Sequence, residues 1–409
     1  MKKLLQINPV VRISTSTGRI MQEIGELAMQ HGWESYIAYS KGRDGIKPCQ
    51  SKLVPVGNSW NVRFHGLMTR LFDRHGLASN RATKAFIRRI QEIEPDIIHI
   101  HNIHGYFLNY KLLFEFLASY GKPVIWTVHD CWLYTGHCYY YSYARCQKWE
   151  THCGQCPQKN KFPASYIVDR SRQNFEDKKQ AFTSLFSSQM HIIPVSHWMR
   201  GEMSRSFLKE YPYQVIHNGI DTEVFAPSDS QAIRQKYGIA NDKHIYLGVA
   251  SIWSDEKGLA EFKAMAAALE ADEVLVMVGV SDAIKASLPK NIIAISRTEN
   301  IHQLAALYSS ATAFINPTWQ DNYPTVNLEA IACGTPVVTY KTGGSIEAIT
   351  PETGRIVNQG DIQGLLREAR TLKALGKSYF SPRCRAHALA FFRKEDRYRD
   401  YLNLYESLL

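Results

Sequence analysis

The residues best equipped for chemistry lie between Asn316 and Glu347, in NPTWQDNYPTVNLEAIACGTPVVTYKTGGSIE. An apolar strand (ATAFIN) runs into a loop broken by Pro317 and Pro324, and a helix follows with Thr325, Val326 and Asn327 in its first turn. First-turn amides have no partner inside the helix and carry the positive end of its dipole, so this start suits a diphosphate. Glu329 falls one turn on, on the same helix face as Thr325. A carboxylate beside a phosphate makes sense when it accepts hydrogen bonds from vicinal hydroxyls, as the acid of a dinucleotide fold does for a ribose. Asp321 lies eight positions before it, so two carboxylates can bracket a sugar nucleotide, one at the sugar and one at the ribose. Asn322, Tyr323, Pro324, Thr325 and Val326, with Gly343, Gly344 and Glu347 of the turn after TPVVTY, then line the donor. In ASIWSDEKGLAEF, Lys257 and Gly258 open a second helix and place a point charge beside the diphosphate. Arg297 and Thr298, after NIIAIS, add charge or edge the nucleobase.

The first half carries different chemistry. IIHIHNIHG clusters His99, His101 and His104, but no carboxylates join them and strand alternation separates His104 from the other two, so a metal is not expected. Ligands of open α/β sheets gather at the carboxyl ends of strands, which makes His104 and Gly105 candidates for lining an acceptor site. Cys138, Cys146, Cys153 and Cys156 fall within nineteen residues and end in a Cys-x-x-Cys pair. A structural zinc pinning an inserted loop is one reading, with His137 or His152 able to replace a sulfur; disulfides or free thiols are the other. Tyr134, Tyr139, Tyr140, Tyr141 and Trp149 would give that loop a surface for sugar or lipid, unless they pack around it.

Positioning such residues requires strands that alternate with helices. KLLQIN, ESYIAYS, KLVPV, DIIHIH, PVIWTVHD and HIIPVS form one series, and HIYLGVAS, EVLVMVGV, NIIAIS, ATAFIN and TPVVTY a second, predicting two parallel sheets. The 409 residues exceed one ordinary core. No apolar run reaches the roughly 20 residues that span a bilayer, and MKKLLQINPVV reads as a first strand rather than a leader. A cytoplasmic protein with reduced thiols is expected. The net charge of +10 is unevenly placed: from Trp60 to Gln91, seven cations (Arg63, Arg70, Arg74, Arg81, Lys84, Arg88, Arg89) face one Asp73 and alternate with Trp60, Phe64, Leu67, Met68, Leu71 and Phe72. That pattern suits a helix lying on an anionic inner-membrane surface, or a packed helix with a solvated basic face; no nucleic-acid motif accompanies it.

The acidic residue, seven others and Glu (Asp321, Glu329), then Gly334 to Val338 and the turn from Gly343 to Glu347, resemble the family 4 retaining glycosyltransferases. The resemblance covers nearly the whole chain and implies α/β architecture of the type called GT-B. Two Rossmann-like parallel-sheet domains would face a cleft, at 1–226 (acceptor, with the Cys-rich insert 131–160) and 227–382 (donor), and a C-terminal helix at 383–409 would cross back to the first. It resembles most the branch found with capsule and exopolysaccharide genes. By the same resemblance, Gly18 and Arg19 face the nucleotide sugar and His129 reaches the transferred sugar; Asn218, Gly219 and Asp221 form the interdomain turn. Two departures stand out: Asp321 replaces the usual Glu, and Ile252 occupies the place of an arginine five residues before Lys257. The implied activity is transfer of a hexose from a UDP- or GDP-sugar to a lipid-linked or oligosaccharide acceptor with retained configuration, without a catalytic cofactor. The rival expectations are a catalytically silent, membrane-associated partner that binds nucleotide sugar, and a sugar-nucleotide epimerase of the same fold.

Overall fold

The computed structural model describes residues 1–12, 15–40 and 49–409; Ser14 lies outside them. Two six-stranded sheets form. The first contains β1 (Lys3–Ile7), β2 (Glu34–Tyr39), β3 (Lys52–Pro55), β4 (Ile97–Ile100), β5 (Val124–Val128) and β6 (Met190–Pro194), in the order β3-β2-β1-β4-β5-β6. The second contains β7 (His244–Val249), β8 (Glu273–Val278), β9 (Ile292–Ile295), β10 (Ala313–Asn316), β11 (Val337–Tyr340) and β12 (Gly354–Val357), ordered β12-β11-β10-β7-β8-β9. Every pairing between these strands is parallel, as the expected α/β class requires. The sequence reading missed β12. Its GRIV is a short edge segment with half-exposed positions, lacking the continuous apolar run that marks the buried strands.

Contacts divide the chain into one unit of Met1–His217 with Tyr398–Leu409, and a second of Asn218–Arg397. The division falls before the expected boundary at 226/227 for a local reason. The turn after His217 is held by the segment at 392–394: Ile220 N–H donates to Phe392 O, Lys394 N–H donates to Ile220 O, and Lys394 Nζ meets Asp221 at 2.6 Å. Gly219 is required there, since a Cβ would lie 2.5 Å from Lys394 Cα.

In the first unit, strand alternation sorts side chains between two faces. Leu5, Ile7, Ile98, Ile100, Val124, Trp126, Val128 and Ile192 enter one core with the helices Tyr110–Tyr120 and Ser171–Phe182. Leu4, Ile97, Ile125 and Ile193 enter another with the helix Ser16–Gln30 and the tail residues Tyr398, Tyr401, Leu402 and Tyr405. The segment 383–409, expected as one C-terminal helix, belongs to two helices. The bridge of Ile220 with Arg393 separates the helix Lys377–Phe391 from the helix Lys394–Ser407, and Phe391 and Leu409 stay exposed.

Tyr405 is buried, and its hydroxyl meets His99 Nδ1 at 2.6 Å. Tyr405→Ala should lower the stability of the first unit by about 3–5 kcal/mol, the range for removing a large buried side chain. Tyr405→Phe should cost about 1–3 kcal/mol, because it only strands one hydrogen-bonding partner. Urea unfolding followed by hydrogen exchange in β1 and β4 checks both, and equal losses would contradict the separation of packing from hydrogen bonding.

Candidate active site

All strands of the second sheet run the same way, so the segments after β7, β8, β9, β10 and β11 leave from one edge. The order reverses between β7 and β10, the place where open α/β sheets hold ligands. From β7 comes the single turn Asp255–Lys257, and from β10 the loop that leads into the helix Thr325–Ala332. The two are laced together. Trp319 N–H donates to Glu256 O (2.9 Å), Gln320 Nε2 to Glu256 Oε2 (2.9 Å), and the Trp319 indole to Glu261 (2.6 Å). Gly258, at φ +84°, allows the approach, because a Cβ would stand 2.4 Å from Pro317 Cγ. The result is an ion pair of Lys257 Nζ with Asp321 Oδ2 at 2.6 Å.

The loop and helix are fixed from beneath by a buried polar network. Asn316 Nδ2 donates to Asn327 Oδ1 (2.8 Å), Asn327 Nδ2 donates to Ser345 O (3.1 Å), and Thr339 Oγ1 donates to Asn316 O (2.9 Å) while meeting Ser345 Oγ at 2.8 Å. Strand β10, the helix start and the glycine turn Gly343–Ile346 are thereby one piece. The residue before the helix Thr325–Ala332 is Pro324, whose side chain gives no cap, and the first helical residues, Thr325 and Val326, are half-buried. Asn322, Tyr323 and Pro324 are buried in the loop, Glu347 is half-buried after the glycine turn, and Arg297 and Thr298 follow β9 at the same sheet edge. Glu329 is 5% exposed and accepts a bond from the Tyr308 hydroxyl at 3.1 Å. It is a held, interior carboxylate rather than a surface acid.

In the first unit the order reverses between β1 and β4. On the tail-helix face, residues two apart place Gln6, His99 and His101, Thr127 and His129 in one polar ladder, buried except at its half-buried end, His129. His99 meets Thr127 through Nε2 (2.8 Å). Gln6 Nε2 donates to Met21 O, which turns Gln6 Oε1 toward His101 Nε2 at 3.0 Å. His101 Nε2 therefore carries the proton, its Nδ1 accepts, and His129 Nε2 is the donor across their 3.2 Å contact. Burial pushes His129 down to about 4 and His99 to about 3, and holds His101 well below its usual value, so the ladder is neutral at pH 7. Beyond it, His104 Nε2 meets Asp130 Oδ2 at 2.7 Å, and Asp130 Oδ1 accepts from Trp132 N–H. Burial opposes the Asp130 charge, but His104 and the Trp132 amide together hold the carboxyl below its usual range. His101, His104, His129, Asp130 and Trp132 line one small cavity.

Packing also constrains two of the expected contact positions. The first helix begins at Ser16, which puts Gly18 and Arg19 in its first turn; a Cβ on Gly18 would lie 2.3 Å from Arg12 O. Gly105, at φ +143°, lets the segment after β4 pass Pro9, 2.7 Å from where its Cβ would be. Near the four cysteines, Tyr134, Tyr141 and Trp149 are buried in the core rather than displayed, while Tyr139 and Tyr140 are half-buried against it. All eight cysteines are free thiols.

Comparison with known proteins decides the class. Residues 17–224 match the family model Glycosyltransferase Family 4, and residues 243–374 match Glycosyl transferases group 1. The chain belongs to glycosyltransferase family 4. It is 24% identical to the putative colanic acid biosynthesis glycosyl transferase WcaC of Escherichia coli K12, over 99% of this chain and 100% of that one. Its fold is that of sucrose-phosphate synthase from Thermosynechococcus elongatus (TM-score 0.75, 16% identity, 100% and 99% of the two chains). It is also that of Anabaena HepE, solved with UDP (TM-score 0.70, 15% identity, 100% of both chains).

Within this family 4 chain, Ile252 is 76% exposed where the family pattern expects an arginine, while the adjacent Trp253 is buried and donates to Val278 O. Lys257 thus stands without that second cation from its own segment. Sequence reading missed Gln6, His101 and Tyr308 as positioning groups. The period-two spacing of 99, 101 and 127, 129 was a usable signal; the partners Gln6 and Tyr308 come from distant strands and helices and left none.

The histidine ladder sets a pH dependence. The folded value of His129, about 4, lies below the ~6.5 of an unfolded histidine, so the unfolded chain takes the proton first. Stability from this site is complete above about pH 6.5 and is lost as pH falls through 4. Denaturant titrations between pH 7 and 4 should show a shallower decline for His129→Asn than for wild type; parallel curves would mean that His129 is not held neutral.

Proposed function

We propose that this glycosyltransferase moves a hexose from a UDP- or GDP-sugar to a growing, lipid-linked polysaccharide acceptor, with retention of anomeric configuration. The donor is assigned to the second unit and the acceptor to the first. The observation that carries the reading is the Lys257–Asp321 pair at the sheet's reversal point, beside a helix start that Pro324 leaves without a cap. Without donor the two groups satisfy each other. A diphosphate would compete for the ammonium and free the carboxylate to accept from sugar hydroxyls. As the glycosidic bond breaks, negative charge grows on the departing diphosphate, so Lys257 and the first-turn amides would stabilise the transition state more than the ground state. The departing phosphate oxygen then takes the acceptor's proton. Glu329, held by Tyr308, is the proposed ribose ligand, and neutral His129 the group that orients the transferred sugar. The UDP complex of HepE supports the donor class, similarity to the putative colanic acid biosynthesis glycosyl transferase WcaC supports a polysaccharide product, and the family resemblance supports retention.

Lys257→Ala should lower kcat by about 10²–10³, the effect of losing one preorganised stabilising group, with a smaller loss of donor affinity. Single-turnover kinetics alongside calorimetry separates the two. Wild-type turnover in the variant would remove Lys257 from the chemistry.

A membrane-bound acceptor is favoured by the helix Ser59–Phe72, whose amphipathicity is inverted. His65, Gly66 and Thr69 are buried, whereas Trp60, Phe64 and Leu67 are 72%, 58% and 50% exposed and flanked by exposed Arg63, Arg70 and Arg74. Tyr166 N–H bonds Arg70 O, bringing exposed Tyr166 and Ile167 to the same patch. Large apolar groups beside cations suit the headgroup boundary of anionic lipid. Among the described residues no helix is long and apolar enough to cross a membrane. Co-sedimentation with anionic vesicles should exceed that with neutral ones, fall with salt, and drop when Arg63, Arg70 and Arg74 become Gln, each cation near the surface contributing about 1 kcal/mol. Equal partitioning of wild type and variant would exclude this surface.

A further inference from the structure

A groove of about 480 Å³ opens in the first unit where the helix Ser59–Phe72 and the helix Asn80–Ile93 are joined. That volume is in the range of small-molecule sites, and the groove shares no lining residue with the cavity at His104 and Asp130. Phe64 and Met68 of the first helix, with Leu77 and Ala78 of the connection, form its apolar wall. Its polar part is cationic: Arg74 and Arg81 line it and are exposed. Among the described residues no carboxylate lines it. From Ser51 to Gln91 the one acid is Asp73, whose carboxylate is already engaged by His137 Nδ1 (2.8 Å) and the Arg170 N–H (2.9 Å).

Ser79 supplies the independent observation. It lines the groove and is 6% exposed. His65 Nε2 accepts the Gly76 N–H at 3.0 Å, so the ring's hydrogen sits on Nδ1 and is donated to Ser79 Oγ at 2.9 Å. The serine oxygen is thereby an acceptor, and its own hydrogen has to donate elsewhere. Among the described residues no acceptor meets it, and a buried donor left over calls for a bound one. Ser79 also stands just before the helix Asn80–Ile93, in the left-handed region at φ +61°, and its side chain gives that helix no cap. The positive end of the helix therefore lies at the groove, beside the two guanidinium groups.

We propose that this groove binds the phosphorylated end of a single-chain lipid, with the phosphate held by Arg74, Arg81 and the Ser79 hydroxyl and the first carbons of the chain lying on Phe64, Met68, Leu77 and Ala78. The proposal rests on the lipid-linked acceptor proposed above and assigns the groove to the phosphate that joins its chain to its sugars. Guanidinium forks match phosphate oxygens, and no nearby acid competes for them. Free phosphate would use the cations and leave the apolar wall bare; a neutral chain would do the reverse. Four apolar side chains make one strip, which suits one chain rather than the two of a bilayer phospholipid. Phe64 shares a helix face with exposed Trp60 and Leu67, so a chain leaving the groove passes onto the surface proposed to lie on lipid.

Decyl phosphate, used below its micelle concentration, should bind the full-length protein at about one per chain in calorimetry, and about tenfold or more tighter than inorganic phosphate or the neutral decyl maltoside. Arg81→Gln should weaken it about tenfold, the effect of losing a charged hydrogen bond, whereas Arg88→Gln, which removes an exposed cation of the same helix outside the groove, should leave it unchanged. Asn61→Trp, filling the groove from its half-buried edge, should abolish binding while donor hydrolysis persists. Equal affinity for decyl phosphate and inorganic phosphate, or equal weakening by Arg81→Gln and Arg88→Gln, would reduce the groove to diffuse basic surface and overturn the site. Dihexanoyl phosphatidylglycerol displacing decyl phosphate at matching concentration would assign the groove to bilayer lipid and overturn the single-chain ligand. A protein that transfers sugar to a lipid-linked acceptor without binding decyl phosphate would overturn this inference alone; binding without such transfer would keep the groove and overturn the acceptor.

Discussion

Parallel strand direction is the constraint on which the rest depends. When every strand in a sheet runs the same way, each carboxyl end opens on one edge, and the segments leaving it must meet there. In the second sheet this brings Lys257, Arg297, Asp321 and Gly343 to one rim although they span 87 positions of sequence. In the first it does the same for His101, His104, His129 and Asp130. Reversal of strand order then parts the helices on either side and leaves room for a ligand. The location of both candidate sites is therefore a property of topology, and only their chemistry belongs to individual residues.

The precision of the second unit's rim rests on groups buried beneath it. Asn316, Asn327, Thr339 and Ser345 are all buried, and each satisfies another's polar atoms. Such a network has a narrow set of acceptable geometries, because a buried donor or acceptor left unpaired costs about 1–3 kcal/mol. It therefore fixes the helix start relative to the glycine turn more tightly than apolar packing alone would. The Trp319 and Gln320 contacts with Glu256 do the same for Lys257.

Much of the architecture was legible in the sequence. Eleven of the twelve strands were readable because buried parallel strands present continuous β-branched and apolar runs, such as IIHI or VLVMV; edge strand GRIV has no such run. The helix at Thr325 was legible from Pro324 and the apolar pattern behind it. What could not be read were pairings set by tertiary contact: Lys257 with Asp321, Glu329 with Tyr308, His137 with Asp73. Each joins residues more than 20 positions apart, and spacing along a chain says nothing about such distances. The tail failed for a related reason. Its helical periodicity continues through Phe391 and Arg393, and only the strand-like bridge to Ile220 reveals the break.

The two units have solved the problem of buried polarity in opposite ways. The second keeps a charged pair, Lys257 with Asp321, at its rim, where partial solvation moderates the cost of holding ions. The first keeps its ladder of His99, His101 and His129 neutral, since burial drives all three well below physiological pH. A neutral histidine can orient a hydroxyl, through a lone pair or an N–H, without competing for charge. In the proposed function that asymmetry has a use. Negative charge develops on the departing diphosphate, which a cation at the second unit's rim would stabilise. Uncharged hydroxyls are held by hydrogen bonds alone, and a ladder that stays unprotonated down to about pH 4 offers these without charge.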